Sequence, residues 1–302
     1  EKNVAEERML DIATHNMQSA YNLVEWVSTL PAERRMVRLG SNQLPGATQE
    51  DWKYMWEDPT NIKMLEEGFA KVGKLAREKD VRLSFHPGQF CVLASDKPEV
   101  VERSIEEFEY HANMARWMGY GKEFQDFKCN VHISGRRGAE GFLETLERLS
   151  PEARNTITIE NDEMCWGLDE SLKVGHKVAL VLDIHHHWIR DEEYIQPDDD
   201  RIQQVIDSWR GVRPALHYSY SRDEWIPEGY EHNTLHELTT LLEAGGKKQK
   251  LRAHSDYYPN QDANDWALSF WENFDIQCEA KAKNLASQQL YERAVETGLC
   301  NK

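Results

Sequence analysis

Six short β-prone runs in the sequence each lead to a residue that can bind a metal ion. The first run, Val81 to Phe85, leads to His86, and Pro87-Gly88 then stops the strand. The other five runs end, in chain order, at His132, Glu160, Asp183, His217 and Glu279. Because parallel α/β folds gather their chemistry at the carboxyl ends of strands, this joint placement predicts one shared site.

Two further histidines extend the set. His186 stands three residues after Asp183, a D-x-x-H spacing that turns the imidazole back toward the same ion, and His254 follows in the run Arg252-Ala-His-Ser-Asp256. The predicted metal ligands are therefore His86, His132, Glu160, Asp183, His186, His217, His254 and Glu279. Eight ligands exceed the coordination sphere of one zinc or manganese ion, so two or three divalent ions are expected.

Glu160 and Glu279 are the predicted catalytic carboxylates, because a carboxylate can bridge neighbouring ions. Clusters of this kind suit phosphoryl chemistry, in which one ion activates water near neutral pH while others hold the phosphate. Single members have simpler explanations: a lone strand-end histidine is commonly a core or loop residue, and a lone carboxylate can cap a helix. His185 and His187 are expected as outer neighbours of the site or as surface groups. Five more histidines are expected at the surface: His15, His111, His176, His232 and His236.

Strands and helices alternate along the whole chain, which is typical of a parallel α/β fold. Helices are expected at 3–28, 62–79, 98–118, 143–149, 169–174, 201–208 and 235–243, and a short strand at 36–40. Seven strands are one short of a TIM (β/α)8 barrel, and the first strand is expected upstream of Glu1 or missing. A doubly wound open sheet is the alternative, less favoured because six strand ends converge only if the strands form a ring. One domain, 1–302, is expected, with an insertion at about 218–261.

Composition narrows the class of protein. A chain of 302 residues with 40% hydrophobic content and ten tryptophans can bury a substantial core. No apolar run approaches the ~20 residues of a membrane span. Five scattered cysteines without CxxC spacing indicate reduced thiols. We therefore expect an intracellular protein (cytoplasmic or in the nucleoid, nuclear in a eukaryote) with no membrane partner and no evident obligate protein partner.

The formal net charge of −17 argues against a general polyanion binder. Divalent cations held by buried carboxylates and histidines would offset part of this charge where it matters, and a local basic rim can coexist with an acidic remainder. Net charge alone therefore leaves the partner open.

Seven motifs surround the predicted ligands: His86-Pro-Gly-Gln, Asn130-Val-His-Ile-Ser-Gly, Ile159-Glu-Asn-Asp-Glu163, Asp183-Ile-His-His, His217-Tyr-Ser, Ala253-His-Ser-Asp-Tyr and Cys278-Glu-Ala-Lys281. In order and spacing they resemble the UV damage endonuclease family over about residues 36 to 285. The resemblance implies a TIM barrel related to endonuclease IV and up to three ions, most naturally manganese, with zinc or magnesium as alternatives. It also implies cleavage of damaged double-stranded DNA immediately 5′ to a lesion such as a UV photoproduct.

The same resemblance assigns a lesion probe. Residues after the His-Pro-Gly turn are inserted at the lesion in that family, and by position these are Gln89 and Phe90. Phe90 stands where relatives commonly have Tyr, which keeps the stacking surface. Basic residues that follow the same strand ends are candidates for phosphate contacts: Arg136, Arg137, Arg222, Arg252, Lys281 and Lys283.

Two positions depart from the family pattern. Gln49 aligns with a histidine ligand of the family, and Ala215 aligns with a lysine that helps some relatives to hold the metals. One metal site is therefore expected to be weaker, remodelled or empty. Two alternative functions stay open: a sugar-phosphate isomerase or epimerase of the xylose isomerase type, and a catalytically inactive sensor of DNA distortion.

Overall fold

The computed structural model describes residues 2–300, in which seven β-strands are separated by α-helices. The strands are β1 (Met36–Arg38), β2 (Arg82–Phe85), β3 (Lys128–His132), β4 (Ile157–Glu160), β5 (Ala179–Asp183), β6 (Ala215–Tyr218) and β7 (Asp275–Cys278). They follow one another in the sheet in chain order. The pairs β1–β2, β2–β3, β5–β6 and β6–β7 are parallel. The predicted α/β alternation is confirmed.

The helices are α1 (Lys2–Val27), α2 (Tyr54–Glu57), α3 (Pro59–Glu78), α4 (Pro98–Trp117), α5 (Gly138–Leu146), α6 (Pro151–Thr156), α7 (Leu168–Leu172), α8 (Ile184–Asp191), α9 (Asp200–Ser208), α10 (Leu238–Glu243), α11 (Lys248–Leu251), α12 (Gln261–Leu268) and α13 (Asn284–Glu296). Helix α5 begins before the predicted Leu143, because Ala139 and Phe142 continue its buried face. Within residues 2–300, no helix is both long enough and apolar enough to cross a membrane.

The chain divides into two compact units. The first runs through Val131 and includes Gly135–Thr158; the second takes His132–Ser134 and continues from Ile159. The first unit buries aromatic side chains between its helices and strands, with the rings of Phe85 and Phe127 centred 5.3 Å apart. The prediction that 1–302 forms one domain stays a prediction.

His111 is a correction to the sequence analysis, which placed it at the surface. It lies on the buried face of α4, together with Phe108 and Ala112, and its side chain has no exposed surface. Its ring meets that of Phe85 edge-on with centroids 5.4 Å apart, and its Nδ1 donates to the Glu107 carbonyl at 2.7 Å. Burial lowers the pKa of His111 to about 4, so the ring packs as a neutral aromatic group.

The second unit has β5 at its centre, with all five residues buried. Trp209 of the turn after α9 is fully buried and donates from Nε1 to the Leu180 carbonyl at 2.7 Å, which fixes this helix end to the strand. The rings of Tyr218 and Tyr258 stack with centroids 4.5 Å apart. This packing supports the ends of β5, β6 and β7.

The segment between β6 and α12, where the insertion is predicted, holds the helices α10 and α11. It returns to the end of β6 through an antiparallel bridge between Ser221 and His254. Two hydrogen bonds reinforce the return: Ser255 N donates to the Tyr220 carbonyl at 2.9 Å, and Ser221 Oγ donates to the Leu251 carbonyl at 2.5 Å. The predicted ligand His254 is thereby fixed beside a strand end.

A close approach between α3 and the end of α4 gives a stability test. A Cβ on Gly73 would overlap the carbonyl oxygen of Met118. Replacing a helical Gly by Ala ordinarily stabilises by about 0.5–1 kcal/mol. We expect Gly73→Ala instead to lower the free energy of unfolding in urea by about 1–3 kcal/mol, because the backbone at Met118 must move to make room for the added methyl group.

Gly68→Ala in the same helix is the matched control. Its Cβ would meet the flexible end of the Met17 side chain, which can rotate away, so we expect a change near zero. A gain in stability for Gly73→Ala would contradict the close approach.

Candidate metal centre

Four side chains of the second unit converge where their strands end. Glu160 closes β4, Asp183 closes β5, His217 lies near the end of β6 and Glu279 follows β7. Each offers one ligand atom, and these atoms all lie within 4.8 Å of one another. The parallel register explains part of the convergence, because Asp183 and His217 are paired neighbours on adjacent strands. We call these four residues the carboxylate cluster.

The carboxylate cluster places like charges at close range in a buried environment. His217 Nδ1 lies 3.0 Å from Glu160 Oε1 and 3.2 Å from Glu279 Oε1, and the three side chains are 0–9% exposed. Asp183 accepts a hydrogen bond from the His186 backbone N–H through Oδ1 at 2.7 Å, whereas its buried Oδ2 has no hydrogen-bond partner within residues 2–300. Burial raises the pKa of Asp183 well above its usual range, and the charges of Glu160 and Glu279 add to this against the opposing effect of His186.

A second group of possible ligands lies beside the first. His132 at the end of β3, Glu163 in the loop after β4 and His186 in the first turn of α8 have ligand atoms within 4.8 Å of one another. We call these three residues the histidine cluster. Glu160 faces both clusters, because its Oε1 approaches His217 and its Oε2 lies 3.3 Å from His132 Nε2. A carboxylate with its two oxygens divided in this way has the geometry of a bridge.

Hydrogen bonds fix which nitrogen each imidazole presents. His132 donates from Nδ1 to Asp162 Oδ2 at 2.9 Å, and His186 donates from Nδ1 to the Asn161 carbonyl at 3.0 Å. His254 donates from Nδ1 to the Glu279 carbonyl at 2.7 Å. In all three rings Nε2 is left as the nitrogen that can coordinate a metal, an orientation device common at metal sites.

The carboxylates shift the titration of these rings in the protein without metal. Burial lowers the pKa of His132, but Glu160 and Asp162 more than offset this and raise it to about 9. Burial likewise opposes the charged form of His186, yet Asp183, Glu160 and Glu163 raise its pKa to about 10. Near neutral pH, His132 and His186 are therefore protonated and positively charged in the metal-free protein.

The backbone of Glu279 is held by the tyrosine stack beneath it. Its N–H lies 2.8 Å from the Tyr218 carbonyl and 2.8 Å from Tyr258 Oη, and the Tyr258 hydroxyl itself donates to the Tyr218 carbonyl at 2.7 Å. His254 lies close to the histidine cluster, with its ring centre 6.5 Å from that of His186. Side chains and backbone around both clusters are thus held by buried contacts.

His86 lies in the first unit, directly after β2. Its Nδ1 donates to the Pro87 carbonyl at 3.1 Å, and its Nε2 lies 3.3 Å from Asn130 Nδ2. Because Asn130 Oδ1 accepts a bond from Thr158 at 2.7 Å, its amide presents Nδ2 as the donor to His86. Nε2 of His86 is therefore the accepting nitrogen, as in the other three rings.

Gln89 and Phe90 lie together at the corner of a tight turn. Cys91 N–H donates to the Gly88 carbonyl at 2.9 Å, which closes the turn around them. The turn is anchored to α4, because Val92 N–H donates to Ser104 Oγ at 2.8 Å and Cys91 is buried. Phe90 is 84% exposed, so an aromatic ring stands in solvent on a fixed base.

The predicted phosphate contacts differ in how they are held. Arg136 lies 3.3 Å from Asp96 and Arg137 lies 2.7 Å from Glu144, both in exposed ion pairs. Arg252 is half-buried and lies 3.1 Å from Glu163, whereas Lys281 is exposed. The exposed pairs of Arg136 and Arg137 contribute little to stability and can exchange partners with a phosphate.

Several residues near the site were missed or left open by the sequence analysis. Asp162 binds His132 and also accepts backbone N–H groups of Met164 and Cys165 at 2.7 and 2.6 Å, which shapes the loop after β4. Glu163 belongs to the histidine cluster. Both stand in the Glu160-Asn-Asp-Glu163 run, whose density of carboxylates was the signal that could have identified them.

The structure also places the other two histidines of α8 and the two positions, Gln49 and Ala215, that differ from the family pattern. His185 is fully buried, and His187 is buried with its ring nitrogens 3.0 Å from Asp191 and 3.1 Å from Glu193, so neither is a surface group. Gln49 is exposed in the loop after β1, and Ala215 is buried in β6.

Comparisons with known proteins agree on one family. The family model described as UV-endonuclease UvdE matches residues 1–298. The UV DNA damage endonuclease of Bacillus mycoides is 25% identical over 301 residues, covering 96% of this chain and 84% of that protein. The enzyme of the same name from Bacillus cereus is 24% identical over 300 residues, covering 95% of this chain and 83% of that protein.

Solved structures support the fold. The crystal structure of SacUVDE matches with a TM-score of 0.69 and 22% identity, covering 97% of this chain and 90% of that one. Endonuclease IV from Thermus thermophilus matches with a TM-score of 0.57 and 14% identity, covering 92% and 94%. The predicted TIM-barrel fold class is confirmed by these likenesses. With a family model that matches nearly its whole length, this chain belongs to the UV-endonuclease UvdE family and is an endonuclease of DNA repair.

Proposed function

We propose that this endonuclease nicks double-stranded DNA immediately 5′ to UV photoproducts and other distorting lesions, and that it requires two or three divalent cations. Manganese is the cation that we would test first, with zinc and magnesium as alternatives. The observation that carries the proposal is the carboxylate cluster, in which the buried Asp183 Oδ2 has no hydrogen-bond partner within residues 2–300.

The residues present fit divalent cations. Buried carboxylates are costly unless they are paired or coordinate a metal, and three of them surround His217. Carboxylate oxygens with imidazole nitrogens form a donor set suited to manganese or zinc. When bound, such cations activate water and stabilise the charge that develops on the phosphate.

The proposed ligands fall into two centres. Glu160, Asp183, His217 and Glu279 would hold the first, and Glu160 would bridge to a second at His132 and His186. His254 remains a proposed ligand because its Nε2 is left to coordinate. His86 in the first unit remains one through its Nε2 lone pair, which would exchange the Asn130 hydrogen bond for a cation. Asp162 would keep the His132 ring oriented through catalysis.

The exposed turn at Gln89 and Phe90 supports the lesion part of the proposal. Photoproducts unstack and kink DNA, so displacing bases at a lesion costs less than in intact duplex. Phe90 could fill the gap by stacking, and Gln89 beside it offers hydrogen bonds. Arg136, Arg137, Arg252 and Lys281 are proposed to contact phosphates. DNA as substrate also favours an intracellular location.

Different observations bear on the two alternative functions, a sugar isomerase or epimerase and an inactive sensor of DNA distortion. Membership of an endonuclease family favours DNA cleavage over sugar isomerisation. An inactive sensor of DNA distortion was suggested by Gln49 and Ala215, but the carboxylate cluster is complete without either residue. A nicking assay separates the endonuclease from both alternatives, because neither of them cleaves DNA.

The first test is cleavage of a duplex that carries one photoproduct, with and without manganese. We expect a single nick 5′ to the lesion that depends on the added cation. Glu279→Gln should lower the rate by about two orders of magnitude or more while the protein stays folded, because the variant removes a negative charge that holds cations together.

Glu272→Gln, at an exposed position, is the matched control and should cleave normally. Normal nicking by Glu279→Gln would show that Glu279 has no role in cleavage. Nicking by the wild type that is unaffected by a chelator would show that cleavage does not require divalent cations.

A second prediction concerns pH and stability. The folded pKa values of His132 and His186, about 9 and about 10, lie above the ordinary 6.5. Their protonation therefore stabilises the metal-free protein fully below about pH 6.5, and this contribution is lost as pH rises toward 9. We expect the Tm of chelator-treated protein to fall over this interval.

With manganese bound, the rings are already deprotonated, so the difference in Tm between loaded and metal-free protein should widen as pH rises. Differential scanning calorimetry measures both series. A metal-free Tm that rises toward pH 9 would contradict the assignment of these two rings.

A third prediction separates recognition from catalysis at Phe90. Aromatic stacking on a base is worth roughly 1–3 kcal/mol, so Phe90→Ala should weaken binding to damaged duplex about 5- to 150-fold. Phe90→Tyr should bind normally, because it keeps the ring. Because Phe90 is exposed, its loss should leave the Tm and the affinity for undamaged duplex unchanged. Equal losses of affinity on damaged and undamaged DNA would exclude the probe role.

A further inference from the structure

We infer that Glu163 is a metal ligand, which completes a divalent-cation site with His132 and His186. This inference rests on the proposed cation requirement and adds a carboxylate ligand to the second centre. Glu163 lies in the loop after β4, and its side chain is 16% exposed. One ligand atom from each of the three residues lies within 4.8 Å of the other two.

The orientation of His186 is the first argument. Its Nδ1 donates to the Asn161 carbonyl at 3.0 Å, which leaves Nε2 as the coordinating nitrogen. That nitrogen lies 3.4 Å from Glu163 Oε2. An imidazole nitrogen and a carboxylate oxygen at this distance hold a positive charge between them, which can be a proton or a divalent cation that displaces it.

The orientation of Glu163 is the second argument. Its Oε1 lies 3.1 Å from Arg252 Nη1, and Arg252 reaches it from the returning segment after α11. The guanidinium therefore fixes one carboxylate oxygen, whereas the other points to His186. Metal-binding carboxylates are commonly held in this way by a hydrogen bond to the oxygen that does not coordinate. The second oxygen therefore lies where a cation bound to His186 would meet it.

The charges around the two clusters are the third argument. Five carboxylates, Glu160, Asp162, Glu163, Asp183 and Glu279, crowd the second unit's site, and Arg252 offsets one of them. One divalent cation at the carboxylate cluster would leave a substantial negative charge. A second cation at His132, Glu163 and His186 would bring the region close to neutrality.

The test is a calorimetric titration of manganese into chelator-treated full-length protein. We expect at least two equivalents to bind to the wild type. Glu163→Gln should bind one equivalent fewer, or bind it about 10- to 100-fold more weakly. Asp256→Asn is the matched control, because Asp256 is an exposed carboxylate that lies 3.7 Å from Arg222 outside both clusters. The control should bind manganese as the wild type does.

Wild-type stoichiometry and affinity in Glu163→Gln would overturn the inference, and would leave the proposed function standing if that variant still nicks damaged DNA. A wild type that binds no manganese and does not nick would instead refute the proposed function. If Glu163→Gln does not fold, Glu163→Asp decides: a shorter carboxylate should keep the number of ions with weaker binding, and unchanged affinity would count against ligation.

Discussion

The site depends on the electrostatic cost of burying carboxylates next to one another. Glu160 and Asp183 are fully buried, and Glu279 is nearly so, around a single imidazole. Their mutual repulsion and loss of hydration are severe in a low-dielectric interior. Histidine protons can offset this cost in part, as the raised pKa values of His132 and His186 indicate. Divalent cations held by these residues, as we propose, would offset it more completely and would supply the chemistry that phosphodiester cleavage needs.

The surrounding structure keeps these charges in place rather than relieving them. Asn161 links the ends of β4 and β5, since its side chain donates to the Asp183 carbonyl at 2.9 Å and accepts from the Asp183 N–H at 2.8 Å. The Tyr218–Tyr258 stack holds the Glu279 backbone, and Asp162 turns His132. Each group is thus fixed by a hydrogen bond of its own to neighbouring backbone or side chains.

Much of the fold and the site could be predicted because both follow from local patterns. Strands that end in a ligand are visible as β-prone runs stopped by a turn, and His86 before Pro87-Gly88 is the clearest case. The D-x-x-H spacing correctly placed His186 beside Asp183, with Nδ1 3.7 Å from Oδ2. Such signals are contained in a few consecutive residues.

Features that depend on tertiary contacts could not be predicted in this way. His111 has the sequence surroundings of a surface residue, yet the packing of α4 against Phe85 buries it. The orientation of Glu163 depends on Arg252, which lies far along the chain, in the segment that returns to the end of β6 through the bridge between Ser221 and His254. Tautomers likewise depend on partners such as the Glu279 carbonyl, which no motif reveals.

We propose that divalent cations occupy the space between the buried carboxylates. Anomalous diffraction from crystals grown with manganese tests it most directly. We expect a manganese peak within about 2.0–2.4 Å of carboxylate oxygens of Glu160, Asp183 and Glu279 and of Nδ1 of His217. A map with no peak there, in crystals whose protein cleaves damaged DNA, would contradict it.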